Sequence, residues 1–207
     1  MAPRASPLAE ALRRALDLLI AGAVLFLGAP VVACFAWRIR RDSPGPAIFR
    51  QRRAGRAGEP FVLLKFRTMR TDADPYGPSP RAGDDPRLTT FGRWLREKSL
   101  DELPQLWNVL RGDMTLVGPR PLYVEQMAEW TPRQRLRLAV KPGLTGLAQI
   151  SGRAGLTLEE KLELDVQYVL SRSLRLDAAI LLRTLGVWRR AGDIYEVRYS
   201  KDRETRG

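Results

Sequence analysis

Two adjacent carboxylates, Asp101 and Glu102, stand in the run Ser99-Leu100-Asp101-Glu102-Leu103-Pro104. Proline lacks an N–H, so Pro104 is tolerated only in the first turn of a helix. With Asp101 as N-cap, Pro104 takes the third helical position, where the missing donor costs nothing. The dipole and free amides of such a helix start favour an ionised carboxylate. An ionised aspartate can attack phosphorus and form an acyl phosphate. The same helix end favours an incoming phosphate, and the neighbouring glutamate can bind a metal that neutralises a diphosphate. A purely structural reading competes: Ser99-x-x-Glu102 is itself a capping box, and acidic first turns are common. Spacing alone leaves both readings open.

Several basic residues could clamp a diphosphate. Lys65 and Arg67 fall on an expected strand, and Arg96, Arg120 and Arg153 fall in or near loops. Arginine suits planar, bidentate phosphate binding, although each of these residues alone also reads as a solvated surface charge. In Gly118-Pro119-Arg120-Pro121 two prolines fix the backbone on either side of one arginine, which places its side chain at low entropic cost; a structural turn fits the same residues. Gly143, Gly146 and Gly152 could permit close backbone approach to a nucleotide. Neither GxxxxGK[ST] nor GxGxxG occurs.

Composition narrows the chemistry. There is no histidine, which removes Ser-His and Cys-His catalysis and imidazole metal sites. Cys34 is the only cysteine, so an intrachain disulfide is impossible. Any metal is then expected to be a hard, oxygen-bound ion such as Mg2+. The net charge is +12, and residues 1–70 hold 13 Lys/Arg against 4 Asp/Glu. Partners are therefore anionic. Most of the positive charge surrounds an apolar segment, which suits acidic lipid better than nucleic acid, and no nucleic-acid motif is present.

That segment covers residues 18–37, a run of 20 without a charge, close to the ~20 needed to cross a bilayer. Arg13 and Arg14 precede it; Arg38, Arg40 and Arg41 follow. The positive-inside rule places both flanks on the cytoplasmic side. Pro30 interrupts the run and cannot donate to the carbonyl of Phe26. Together these predict a helix–break–helix that enters one leaflet and returns; a plain transmembrane anchor, a signal sequence and a buried soluble helix are the alternatives. The remainder predicts a short strand at 47–49, a strand at 61–69, a loop at 71–86 and a helix at 88–98. Further helices are expected from Asp101 to Gly112, from Thr157 to about Leu170 behind a capping box, and at 177–190 before Gly192. Residues 193–207 read as a polar tail.

The motifs together resemble the bacterial sugar transferase family, the monotopic phosphoglycosyltransferases. The matching runs are Asp42-Ser43-Pro44-Gly45-Pro46, Phe49-Arg50-Gln51, Lys65-Phe66-Arg67-Thr68-Met69, Ser99 to Leu106, Asn108 to Met114, Val117 to Leu122, Lys141 to Gly146 and Glu163-Leu164-Asp165. The resemblance implies an α+β, mainly helical chain: a re-entrant membrane helix over residues 1–41, broken at Pro30, then a catalytic domain over 42–207 with a small β element. It implies a minimal catalytic core at the cytoplasmic face of the bacterial inner membrane. The implied reaction moves a sugar 1-phosphate from a UDP-sugar to undecaprenyl phosphate and releases UMP. Asp101 is the implied covalent nucleophile and Glu102 the implied Mg2+ ligand. The expected substrate-binding set is Lys65, Arg67, Arg96, Pro119, Arg120, Pro121, Gln149 and Arg153. Two positions depart from the family pattern: Ala29 precedes Pro30 where a serine is usual, and Leu147 follows Gly146 where a tryptophan is usual.

Overall fold

The chain opens with one long helix, α1 (Pro7–Asp42), with a proline near its start and Arg40 and Arg41 in its last turn. The computed structural model describes residues 6–74, 77, 80, 83–152 and 155–188. Arg153, Gly192, the tail at 193–207 and parts of the 71–86 loop lie outside the described residues. At 1.5 Å per residue α1 is about 54 Å long. It runs through Pro30 without interruption, so the expected break does not appear as a helix end. Pro30 removes one rung of the hydrogen-bond ladder, and the rungs on either side keep the helix continuous. Most of its apolar side chains face outward: Phe26 is 81% exposed and Leu27 76%.

A hairpin follows, β1 (Ile48–Ala54) and β2 (Pro60–Phe66), antiparallel with Phe49 opposite Lys65 and Gln51 opposite Leu63. β1 is longer than expected, because its arginines alternate with residues that pack. Next come α2 (Thr90–Glu97), capped by the Thr89 hydroxyl accepting from the Gly92 N–H, and α3 (Gln105–Arg111), closed by Gly112 in the left-handed region. β3 (Thr115–Val117) pairs in parallel with β4 (Gly143–Thr145). These short strands escape sequence reading, since three residues carry no period. α4 (Leu147–Ser151), α5 (Leu158–Ser171) and α6 (Leu174–Trp188) complete the described chain. The Thr157–Glu160 capping box forms in full at the start of α5. The architecture is α+β and mainly helical, as expected.

Two larger cores hold these pieces together, beside a smaller one around Ala54, Trp130 and Leu162. One joins Ala21 of α1 to Leu63, Leu106, Val109, Met114, Leu116, Tyr168, Val169 and Ile180. The other joins Ile39 of α1 to Ala47, Phe66 and Leu95, with Phe35 meeting Phe66, Phe91 and Trp94 edge-on at ring separations near 6 Å. Leu103, next to the carboxylates, packs against both cores. Gly143 and Gly146 do provide close backbone approach, but to the chain itself: a Cβ on either would strike the Gly118 backbone. Their role here is to let β4 lie against the Gly118 turn.

Candidate active site

The carboxylates do not cap a helix. Ser99 adopts left-handed backbone (φ 54°), and Leu100–Glu102 forms a separate 3-10 turn before α3. Pro104 takes the N-terminal cap position of α3, not its third helical position. No Ser99 capping bond forms. The turn buries Leu100 and Leu103 against the cores and swings Asp101 inward, to 8% exposure. The non-glycine strain at Ser99 costs on the order of 1–3 kcal/mol, which the packed leucines on either side offset.

Freed from capping, Glu102 faces two cations. Lys65 Nζ donates to Glu102 Oε1 at 2.9 Å, and Arg120 Nη2 donates to the same oxygen at 2.8 Å. Burial opposes the charge of Glu102, but Arg120 and Lys65 outweigh it and hold its carboxyl below the usual range. For Asp101 burial wins: its pKa is raised, with Glu102 adding and Lys65, Arg96 and Arg120 opposing. Two neighbouring carboxyls are thereby driven in opposite directions, a pattern typical of reactive sites. Burial also lowers Lys65, against the pull of Glu102.

The positioning of these groups is built into the backbone. Asn108, fully buried in α3, accepts from the Leu64 N–H (3.0 Å) and donates to the Val62 carbonyl (2.7 Å) and to Asp113 (3.1 Å). This fastens the free edge of β2 to α3 and fixes Lys65 opposite Glu102. The Pro119–Pro121 loop is held at several points: the Gly118 N–H donates to Thr145, the Gly143 N–H to Pro119, and the Ala54 N–H to Leu122, each at 2.9 Å. Arg137, buried, donates to the Arg120 carbonyl and to Asp165 Oδ2, and its guanidinium lies 4.8 Å from the Trp130 ring centre.

Asp101, Glu102, Lys65 and Arg120 are thus brought together, with the charge of Arg96 acting on Asp101. Arg67 is not with them; its guanidinium donates to the carbonyls of Ser43 and Pro44 and ties β2 to the end of α1. Pro119 and Pro121 are buried in the loop that presents Arg120. Gln149 lies against the Gly146–Gly118 contact with both ends of its amide buried and unpartnered. Pro30 lies within the exposed part of α1. Among the described residues no three acidic, histidine or cysteine side chains cluster as a closed metal site.

Residues 8–191 match the family described as bacterial sugar transferase. The chain belongs to the bacterial sugar transferase family. It is 45% identical over 189 residues to a galactosyl transferase of Streptococcus agalactiae serotype III, an alignment covering 84% of this chain and 41% of that protein. It is 44% identical over 182 residues to the UDP-glucose:undecaprenyl-phosphate glucose-1-phosphate transferase of Caulobacter vibrioides (84% and 68%). The Escherichia coli K12 protein of the same description is 42% identical over 182 residues (84% and 39%). The chain therefore spans about two fifths of the length of the streptococcal and E. coli relatives and about two thirds of the Caulobacter one.

Sequence reading of this family member passed over Arg53. Its guanidinium lies 3.7 Å from the Tyr123 ring centre and donates twice to Gln51 Oε1 (2.6 and 3.1 Å), within electrostatic range of Arg120 and Glu102. Burial lowers its pKa, with Tyr123 opposing. The available signal was period two along β1, which puts Gln51 and Arg53 on the face of Lys65. Read in full, four cations (Arg53, Lys65, Arg96 and Arg120) surround two carboxylates.

Proposed function

We propose that this chain transfers a sugar 1-phosphate from a UDP-sugar to undecaprenyl phosphate, with Asp101 as the covalent nucleophile. The observation that carries this reading is the surplus of partly buried positive charge around Asp101 and Glu102. Cations in excess of the carboxylates, with Lys65 and Arg53 desolvated, make a site for a multivalent anion such as a diphosphate. The names of the relatives point the same way, with glucose and galactose as donor sugars.

In the first step an Asp101 carboxylate oxygen bonds to the sugar-linked phosphorus. The bond from that phosphorus to the oxygen bridging to UMP breaks, and UMP leaves with the electron pair. Arg120, Lys65 and Arg53 offset the charge that develops on it. In the second step an oxygen of undecaprenyl phosphate attacks the same phosphorus and displaces Asp101. Separating the two anionic substrates in time limits repulsion within one site. The residues present fit Mg2+: Lys65 and Arg120 both meet Oε1 of Glu102, so Oε2 of Glu102 would be the oxygen that holds a hard ion, which commonly takes one or two carboxylates plus substrate phosphate. When bound, Mg2+ supplies charge neutralisation at the diphosphate.

The lipid acceptor requires a membrane position, and α1 is long and apolar enough to enter one. Both flanks of its uncharged run dock on the same body. Asp17 accepts from the Leu116 N–H, and Ile39 enters the core with Phe66 and Leu95. A helix crossing the bilayer would carry one flank to the far side, about 30 Å away. Docking of both flanks on one body favours insertion into one leaflet over a crossing. The decisive experiment is UMP release by detergent-purified protein given Mg2+, undecaprenyl phosphate and a panel of UDP-sugars. Release with one donor, lost in Asp101→Asn, with a sugar-phosphate adduct on Asp101 by mass spectrometry, is expected. Full turnover by Asp101→Asn would refute the nucleophile.

A further inference from the structure

α1 does more than present an apolar face. Polar side chains on it reach the elements that carry the carboxylates. Arg14 Nη1 donates to the Val109 carbonyl (2.6 Å) and Nη2 to the Leu110 carbonyl (2.8 Å), both in the last turn of α3. Carbonyls there lack a full set of intrahelical partners. Asp17 Oδ1 accepts from the Leu116 N–H at 2.8 Å, in β3, two residues before the turn that leads to Arg120. At the other end of α1, Asp42 Oδ2 accepts from the Phe91 N–H at 2.9 Å, in the first turn of α2.

Each charge sits at the helix end it favours: a carboxylate at the start of α2 and a guanidinium at the end of α3. The 3-10 turn with Asp101 and Glu102 lies between those two ends. α1 therefore holds the reactive turn from both sides, and through Asp17 it also holds the strand that leads to Arg120. We propose that Arg14, Asp17 and Asp42 are positioning residues, and that the membrane helix is the frame that keeps the Asp101–Glu102 turn in register with Lys65 and Arg120. This rests on the reading of those carboxylates as the reacting pair. A helix serving only as an anchor needs apolar surface and basic flanks. It does not need an arginine spent on two carbonyls of α3.

The test uses the full chain in detergent micelles or nanodiscs, with Arg14→Gln and Asp42→Asn, and Arg14→Lys as the conservative variant. Three quantities are read: retention in the membrane fraction, amide hydrogen exchange across residues 91–111, and kcat and KM for the UDP-sugar in UMP release. Retention is expected to be unchanged. Exchange across the reactive turn and α3 is expected to rise about tenfold or more, the factor set by loss of one charge-assisted hydrogen bond. kcat is expected to fall by about 10- to 100-fold, the scale for an ångström-level misplacement, with KM changed much less. Arg14→Lys, which keeps the charge but not the forked donors, is expected to recover part of kcat. If Arg14→Gln does not accumulate as folded protein, Arg14→Lys and Asp42→Asn carry the same comparison. Wild-type kcat in retained variants, or faster exchange without loss of kcat, overturns the proposal. Exchange needs no substrate, so a wild-type protein that turns over no donor would sink the proposed reaction while the exchange data still decide whether α1 frames the turn.

Discussion

Replacing Asp165 by leucine strands Arg137 in the interior. The Arg137 side chain is 2% exposed and that of Asp165 is 3%, and they meet at 2.7 Å. Burial alone raises the Asp165 carboxyl, and Arg137 opposes it. Removing one member of a buried pair costs about 3–5 kcal/mol, because the remaining charge keeps its desolvation penalty. That is a large share of a total stability of about 5–15 kcal/mol. At about 2–4 °C per kcal/mol for a chain of this size, the melting temperature should drop by roughly 6–20 °C. The double variant Arg137→Met/Asp165→Leu removes both charges and is expected to regain at least about 2 kcal/mol of the loss. It forfeits the stacking on Trp130 and the bond to the Arg120 carbonyl, so its turnover should stay low while its stability recovers. Thermal melts in detergent and UMP release on all three proteins make the assay. A double variant no more stable than Asp165→Leu would refute the stranded-charge argument. One with wild-type turnover would refute the idea that Arg137 holds the arginine loop.

Lys65→Met removes one of two cations from Glu102, so the Glu102 carboxyl should move up and UMP release should fall by about tenfold or more, checked by steady-state kinetics. Arg67→Gln, by contrast, should lower stability by about 1–3 kcal/mol with KM for the UDP-sugar unchanged, because its donors serve Ser43 and Pro44; a raised KM would return Arg67 to the substrate. Asn108→Ala should cost about 2–3 kcal/mol in a denaturant titration, since it leaves the Val62 carbonyl and Leu64 N–H without partners. Removal of divalent metal by EDTA should stop UMP release and leave the melting temperature within about 2 °C, because the carboxylates are already matched by cations.

The clustered side chains were more legible than the backbone geometry that holds them. Asp101, Glu102, Lys65 and Arg120 were visible because rare local patterns mark them: a carboxylate pair before a proline, a lysine on a strand, an arginine between prolines. The expected N-cap at Asp101 was not formed, because Leu100 packs on the second core and Leu103 on both, and the chain takes a left-handed step at Ser99. Tertiary burial overrode a local capping rule. Arg53 was hidden among Arg50, Arg52 and Arg56, where composition is uniform and only strand register separates one face from the other. Arg14 read as a membrane flank and Asp17 was passed over, since nothing local says that their partners lie about 100 residues away. Fold class was legible from the helix signals; the parallel pair β3–β4 was not, because its three-residue strands are specified by glycine clearance at Gly118, Gly143 and Gly146.

The pairing of Arg13 with Asp177 spans 164 positions in the chain. At about 5–20 residues per second, synthesis takes roughly 10–30 s to reach the partner. During that interval the start of α1 is made, but Arg13 has only Glu10 for a counter-ion and Asp17 has no amide from Leu116. A charge resists hydrocarbon by several kcal/mol, so the charged start of α1 favours water until its distant partners are made. The late-made partners then find that end still within reach. Sequence distance, ordinarily a burden on folding rate, is here a delay between the making of α1 and the making of the body that claims it.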